Sequence, residues 1–316
     1  MPEPSADDVQ SDLIVGSGDA ATEITAVADG QVSTDAVLAE LDPDQVPPDA
    51  VVKRRLGWFF WIMVAWLVII VGAALLAPIL PIPEPSKIFA GQSRKAPSSA
   101  HWMGTDTLGR DVLSRVIWGA RISLVVGVAS ILFGMVIGGP LGLVAGYFKG
   151  KTEAVIMYFM DVLLAFPALL LAVAIITATY QKSVPVIAVA IGVVAIPPLA
   201  RLVRASTMTQ SQREFVTAAR ASGASNTRIM VREILPNVVL PMISFSILGV
   251  ALAIVAEGGL AFLGLSVPPP TATWGTMIND GRASLTTAPW ISLMPCAVLF
   301  MTVLALNLAG DRLREH

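Results

Sequence analysis

The chain has 316 residues, 55% of them hydrophobic and 14% charged, with a mean hydropathy of +0.72. A soluble domain is about a quarter charged, so this composition excludes an ordinary soluble protein and places the chain in a bilayer. A single cysteine, Cys296, excludes an intrachain disulfide framework, and the two histidines, His101 and His316, stand too far apart for a histidine-based metal or catalytic cluster. The formal net charge of -2 hides an asymmetry: residues 1–52 hold 12 acidic and no basic side chains, leaving 21 basic and 11 acidic in residues 53–316.

Residues 1–52 read as an acidic, disordered cytoplasmic tail, a solvated extension rather than a docking element, because like charges repel and few apolar groups exist to collapse them. With no basic n-region, no cleavable signal peptide is expected. Lys53, Arg54 and Arg55 then precede a first span over 58–80, which opens on Trp58, Phe59, Phe60 and Trp61. Basic residues before a span place the N-terminus inside, and about 20 apolar residues cross the roughly 30 Å hydrocarbon layer.

Residues 81–118 are polar and proline-rich and fall outside, although Lys87, Arg94, Lys95, Arg110 and Arg115 run against the positive-inside rule. Asp106 and Asp111 offer partners to Arg110 and Arg115, and Asp111/Arg115 have the i,i+4 spacing of a helical pair. Two readings stand: contact with a delivery protein, or an interfacial amphipathic helix leading into the next span. That second span, 119–148, carries Gly138, Gly142 and Gly146 at four-residue spacing, a face on which helices pack closely. In the following loop Gly150-Lys151-Thr152 suggests a phosphate loop. The glycine that motif needs five residues earlier is Ala145, inside a span, so no nucleotide site is expected.

The third span, 154–180, contains Asp161 and a kink-forming Pro167. A carboxylate there costs roughly 2.5 kcal/mol or more, so it should face protein or water. A structural hydrogen bond and a substrate contact are both open to Asp161, and the family resemblance given below implies the first before the second. The fourth span, 184–202, also carries prolines. Between it and the fifth span, 235–265, lies a basic polar stretch around Arg213–Asn237, with Arg201, Arg204, Arg213, Arg220, Arg228 and Arg232 against Glu214 and Glu233. Residues 212–221 read as a short helix ended at Gly223; Ser225 and Asn226 can cap a second, running to Pro236. In the fifth span Glu257 either lines a path and attracts a cargo ammonium or bonds backbone groups near Gly258 and Gly259. Residues 271–289 are external, Trp274 and Trp290 lie at the interface, and the sixth span is 290–309.

Thr217-Ala218-Ala219, then Gly223, then Ile234-Leu235-Pro236 resemble the EAA coupling loop of binding-protein-dependent ABC importer permeases. The pattern GTD..GRD..SR from Gly104 to Arg115 and the run EGGLAFLGLSVPPPTATWG from Glu257 to Gly275 are similar to dipeptide/oligopeptide-type permeases, C-type subunit. The resemblance covers roughly residues 55–316 and implies a type I importer permease fold: all-α, six spans, both termini inside, in a bacterial inner membrane. Its domains would be the tail (1–52), a first helix with external segment (53–118), and a five-helix core (119–316) with coupling loop 203–234. It also implies a translocation subunit that is no enzyme and binds no cofactor, with ATP and Mg2+ held by two ABC ATPase partners. A second permease subunit and an extracytoplasmic binding protein complete the complex, with no role for nucleic acid. The coupling residues would be Glu214, Thr217, Ala218, Ala219, Gly223, Ala224, Leu235 and Pro236, where Thr217 departs from the family's Glu. The cargo implied is di- or oligopeptides, with nickel, glutathione or another small solute as the alternative. A stand-alone secondary transporter would need inverted repeats and paired midplane charges, and only two isolated carboxylates, Asp161 and Glu257, are present.

Overall fold

In the computed structural model the described residues are 58–314; the acidic tail and the basic cluster at 53–55 lie outside them. The chain divides into a unit ending at Trp61 and one from Ile62 to His316, and the second holds the helical core. Among the described residues the regular structure is helical, with only isolated bridges at Ile88–Arg110 and Thr105–Asp111.

The helices are α1 (Trp58–Leu76), α2 (Val112–Phe148), α3 (Gly150–Ala165), α4 (Ala168–Ala178), α5 (Val184–Gln210), α6 (Glu214–Ala221), α7 (Asn226–Arg228), α8 (Leu235–Phe262), α9 (Trp274–Gly281) and α10 (Trp290–Arg314). Among the described residues five continuous helices are long and apolar enough to cross a membrane, and α3 with α4, bent by 87° at their break, counts as a sixth when the pair is taken as one span. The bend lies where Pro167 interrupts the ladder and forces Phe166 out of helical geometry, to φ -84° and ψ 133°. The sequence predicts a kink there; the structure makes it a near right angle.

Several predicted boundaries move. The second span begins at Val112, so the expected division at 118/119 falls inside one 37-residue helix. Its start is set by Asp111, whose carboxylate accepts from the Ser114 amide at 2.8 Å as an N-cap. The fourth span runs on to Gln210 despite Pro197 and Pro198, so the polar hairpin begins at Arg213 and not at 203.

The glycine face of α2 packs along α5, the most extensive helix pairing among the described residues. A Cβ on Gly138 would sit 2.7 Å from the Ile196 carbonyl oxygen and one on Gly146 2.6 Å from that of Arg204; on Gly142 it would collide with the Ala200 carbonyl. No larger residue permits that approach, so this seam holds the two helices backbone to backbone. At one end, Ile70 and Ala74 of α1, Val116 of α2, Ile254 of α8 and Trp274 of α9 form one core cluster. At the other, Leu143 and Tyr147 of α2 and Val203 of α5 form another with the hairpin.

Candidate functional site

The hairpin is amphipathic at one-turn scale. Val216 is fully buried and Ala219 partly so, against Ile229, Met230 and Ile234, while Glu214, Phe215, Thr217 and Ala218 are exposed. Helix α6 ends in a paired backbone lock: the Ala224 amide donates to the Ala219 carbonyl and the Gly223 amide to the Arg220 carbonyl, each at 3.0 Å. Gly223 adopts φ +77°, the left-handed geometry this lock requires and glycine supplies freely. Ser225 then caps α7, accepting from the Arg228 amide at 3.4 Å.

From α7 the helix continues through a π-helical turn, Ile229–Ile234, directly into α8. Pro236, expected to end the second helix, instead sits in the first turn of α8, and the wider turn before it absorbs the missing donor. Leu235 packs inward at this junction, and Ala224 packs beneath the turn. The hairpin is also tied to α2, since the Tyr147 hydroxyl donates to Asn226 Oδ1 at 2.9 Å and Arg220 lies 5.4 Å from the Tyr147 ring centroid. Tyr147 and Asn226 are 79 positions apart, and nothing in sequence pairs them.

Of the six arginines in this region, Arg201 and Arg204 belong to α5 and turn to α3. Arg201 Nη2 donates to Asp161 Oδ1 at 2.5 Å and Arg204 Nε to Glu153 Oε1 at 2.6 Å. Arg213, Arg220, Arg228 and Arg232 remain on the hairpin. Asp161, predicted to face protein or water, is ion-paired but 61% exposed, and it lines a cavity of about 470 Å3 with Glu153, Arg201 and Arg204.

At the opposite end the charged cluster is rearranged from expectation. The Asp111/Arg115 pair does not form. Asp111 caps α2 and lies 2.8 Å from His101 Nδ1, while Arg115 lies 3.6 Å from Asp106 and Arg110 Nε donates to Asp106 at 2.6 Å. Helix geometry explains this: an N-cap side chain folds back over the first turn's amides and is not free to reach the i+4 position. All four charged residues are buried, bracing residues 81–111. Their pairing also accounts for part of the charge that ran against the positive-inside rule.

Glu257 is fully buried, and its Oε1 accepts from Ser266 Oγ at 2.5 Å and Thr273 Oγ1 at 2.8 Å. Neither predicted role matches this geometry: the carboxylate clamps the α8–α9 loop through hydroxyls. Trp274, expected at the interface, is fully buried; its amide donates to Ser123 and its indole N–H to the Val116 carbonyl at 3.0 Å. Gly275 permits this, since a Cβ there would lie 2.6 Å from Gly258 Cα. Trp290, by contrast, is half-buried and donates to the Thr105 carbonyl at 3.2 Å.

A family model described as the binding-protein-dependent transport system inner membrane component matches residues 138–316. The glutathione transport system permease protein GsiD of Pectobacterium atrosepticum is 43% identical over 221 residues, 70% of this chain and 73% of that protein. Its counterpart in Escherichia coli O6:K15:H31 is 41% identical over 219 residues, 69% and 72% of the two chains. In fold, the chain is similar to the MetNI methionine ABC transporter in inward-facing form, with a TM-score of 0.51 at 18% identity, covering 64% of this chain and 95% of that one. An amino acid ABC transporter crystallised with histidines gives a TM-score of 0.50 at 13% identity, covering 63% and 92%.

Proposed function

Because the chain belongs to the family of binding-protein-dependent transport system inner membrane components, and is a multi-pass permease subunit of an ABC importer in the bacterial inner membrane, we propose that it carries small peptides, glutathione among them. The names of the relatives favour the glutathione alternative over unrestricted di- and oligopeptides; glutathione is itself a tripeptide with a γ-linkage.

The motor contact in this reading is the exposed face of the hairpin. Glu214, Phe215, Thr217 and Ala218 present an accessible surface on a rigid base, and the element behind them is continuous with α8. That continuity is the observation that carries the proposal. A push on α6 passes through the Gly223 lock, the α7 turn and the Tyr147–Asn226 bond into α8 and α2 together. Closure of two partner ATPases around ATP and Mg2+ would thus swing the spans between inside-open and outside-open states, with a second permease subunit completing the path. Thr217 lies one turn after Glu214, so a hydroxyl and a carboxylate share the exposed face where the family carries a glutamate. This chain does no chemistry in the cycle and is assigned no cofactor. Towards the extracytoplasmic binding protein, Asp106, Arg110, Asp111 and Arg115 contribute the braced shape of residues 81–111.

The proposal is tested by Gly223→Val in the complete transporter. A β-branched residue at φ +77° costs about 1–2 kcal/mol of backbone strain, and nothing stands within 4 Å of where its Cβ would sit. The hairpin should therefore distort without disrupting the core. ATP hydrolysis by the complex should persist while uptake of labelled glutathione falls; full uptake would count against the hinge.

A further inference from the structure

An external cavity of about 210 Å3 opens between the start of α2, the α4–α5 turn, the α8–α9 loop and α9. Among its lining residues are Arg110, Arg115, Lys182, Thr276, Asn279 and Asp280. Arg110 spends its Nε on Asp106, and its terminal nitrogens have no hydrogen-bond partner among the described residues. Lys182, at an exposed turn, donates to the Gly264 carbonyl at 2.8 Å. Asp280 feels both guanidinium groups yet lies beyond ion-pair distance from either. One carboxylate, Asp106, answers two arginines; with Lys182 added and Asp280 subtracted, the cluster keeps a net single positive charge.

Whole-ligand pockets run roughly 300–1,000 Å3, so a cavity of this size takes one end of a molecule. It offers several cations and one unpaired carboxylate. An α-peptide terminus brings one main-chain charge, an ammonium at one end or a carboxylate at the other, and an N-terminal α-linked glutamate adds its side-chain carboxylate only two methylenes beyond the ammonium-bearing carbon. A γ-glutamyl end brings both, on a single carbon.

We propose that this cavity receives a free α-amino-acid head, its carboxylate on Arg110, Arg115 and Lys182 and its ammonium on Asp280, and so distinguishes γ-glutamyl peptides from α-peptides as cargo enters. The inference rests on the small-peptide reading above and narrows it. Burial raises the Asp280 carboxyl above its ordinary value, although Arg115 and Arg110 pull it down and Asp106 adds to the rise.

The test uses the full transporter in cells lacking other peptide uptake, comparing radiolabelled γ-Glu-Ala with α-Glu-Ala and normalising for membrane-inserted protein. The wild type should prefer the γ-linked dipeptide. Asp280→Asn and Lys182→Gln should each cut that preference by about tenfold, the scale of one lost charge contact, through a higher KM; Asp280→Glu should restore it. Lys182→Gln, at an exposed turn, carries the test if Asp280→Asn fails to assemble. Transport of both dipeptides without preference, or a preference untouched by the variants, overturns this inference alone. Transport of neither dipeptide nor glutathione overturns the small-peptide reading beneath it.

Discussion

At the residue scale, Gly223 and Asp280 stand in contrasting settings. Gly223 is needed for its backbone, not its space: its φ of +77° is open to any residue that tolerates the left-handed region. Gly223→Asn should therefore retain uptake where Gly223→Val loses it, because Asn visits that region at small cost. Asp280 is exposed. Desolvation raises its carboxyl, a shift that opposes folding once the group is ionised and fades as pH falls below the ordinary carboxylate range, but solvent screening keeps the effect small. Asp280→Asn should therefore leave the melting temperature of the purified complex close to that of the wild type at neutral pH. Glu257 contrasts with both. Removing its carboxylate as Glu257→Ala strands the Ser266 hydroxyl in a buried site, at about 1–3 kcal/mol for a group left unpaired, while the Thr273 hydroxyl keeps its bonds to Thr276. Glu257→Gln keeps an acceptor there and should hold the fold, as thermal unfolding in detergent would show.

At the element scale, the α2–α5 seam and the hairpin differ in how much the sequence revealed. The four-residue spacing of Gly138, Gly142 and Gly146 made the close-packing face legible, because only a backbone-to-backbone contact needs that spacing. Gly142→Leu should force the helices apart and cost about 1–3 kcal/mol or more, read as lowered thermal stability. Gly139→Ala should be nearly silent, since its Cβ would meet only Met242 Sδ at 3.5 Å. Helix, Gly turn and helix were equally legible in the hairpin, because caps and left-handed glycines are local signals. The continuation through Pro236 was not, since proline normally reads as a stop and a π-helical turn has no compositional mark. The external cluster was misread for a related reason. Spacing alone offers Asp111 to Arg115, whereas the cap and His101 claim Asp111 first.

At the scale of the whole molecule, the apolar runs and their order gave the six-span plan, and the hydropathy of each run is a property no tertiary contact can override. What stayed hidden lies between distant segments: Tyr147 with Asn226, Arg204 with Glu153, Arg201 with Asp161, and the assembly of Lys182 and Asp280 around one cavity. Periodicity reports which face is apolar, not which distant polar group will meet it. The claim joining these parts is that α6 seats in a separate ATPase and drives α8 and α2 as one body. Its most direct measurement is photo-cross-linking from a photoreactive residue at Ala218, exposed on α6, in membranes holding the intact transporter, with adducts identified by mass spectrometry. The expected result is an adduct with the partner ABC ATPase whose yield changes when ATP is added. An adduct with the extracytoplasmic binding protein, or no adduct with any ATPase, would contradict it.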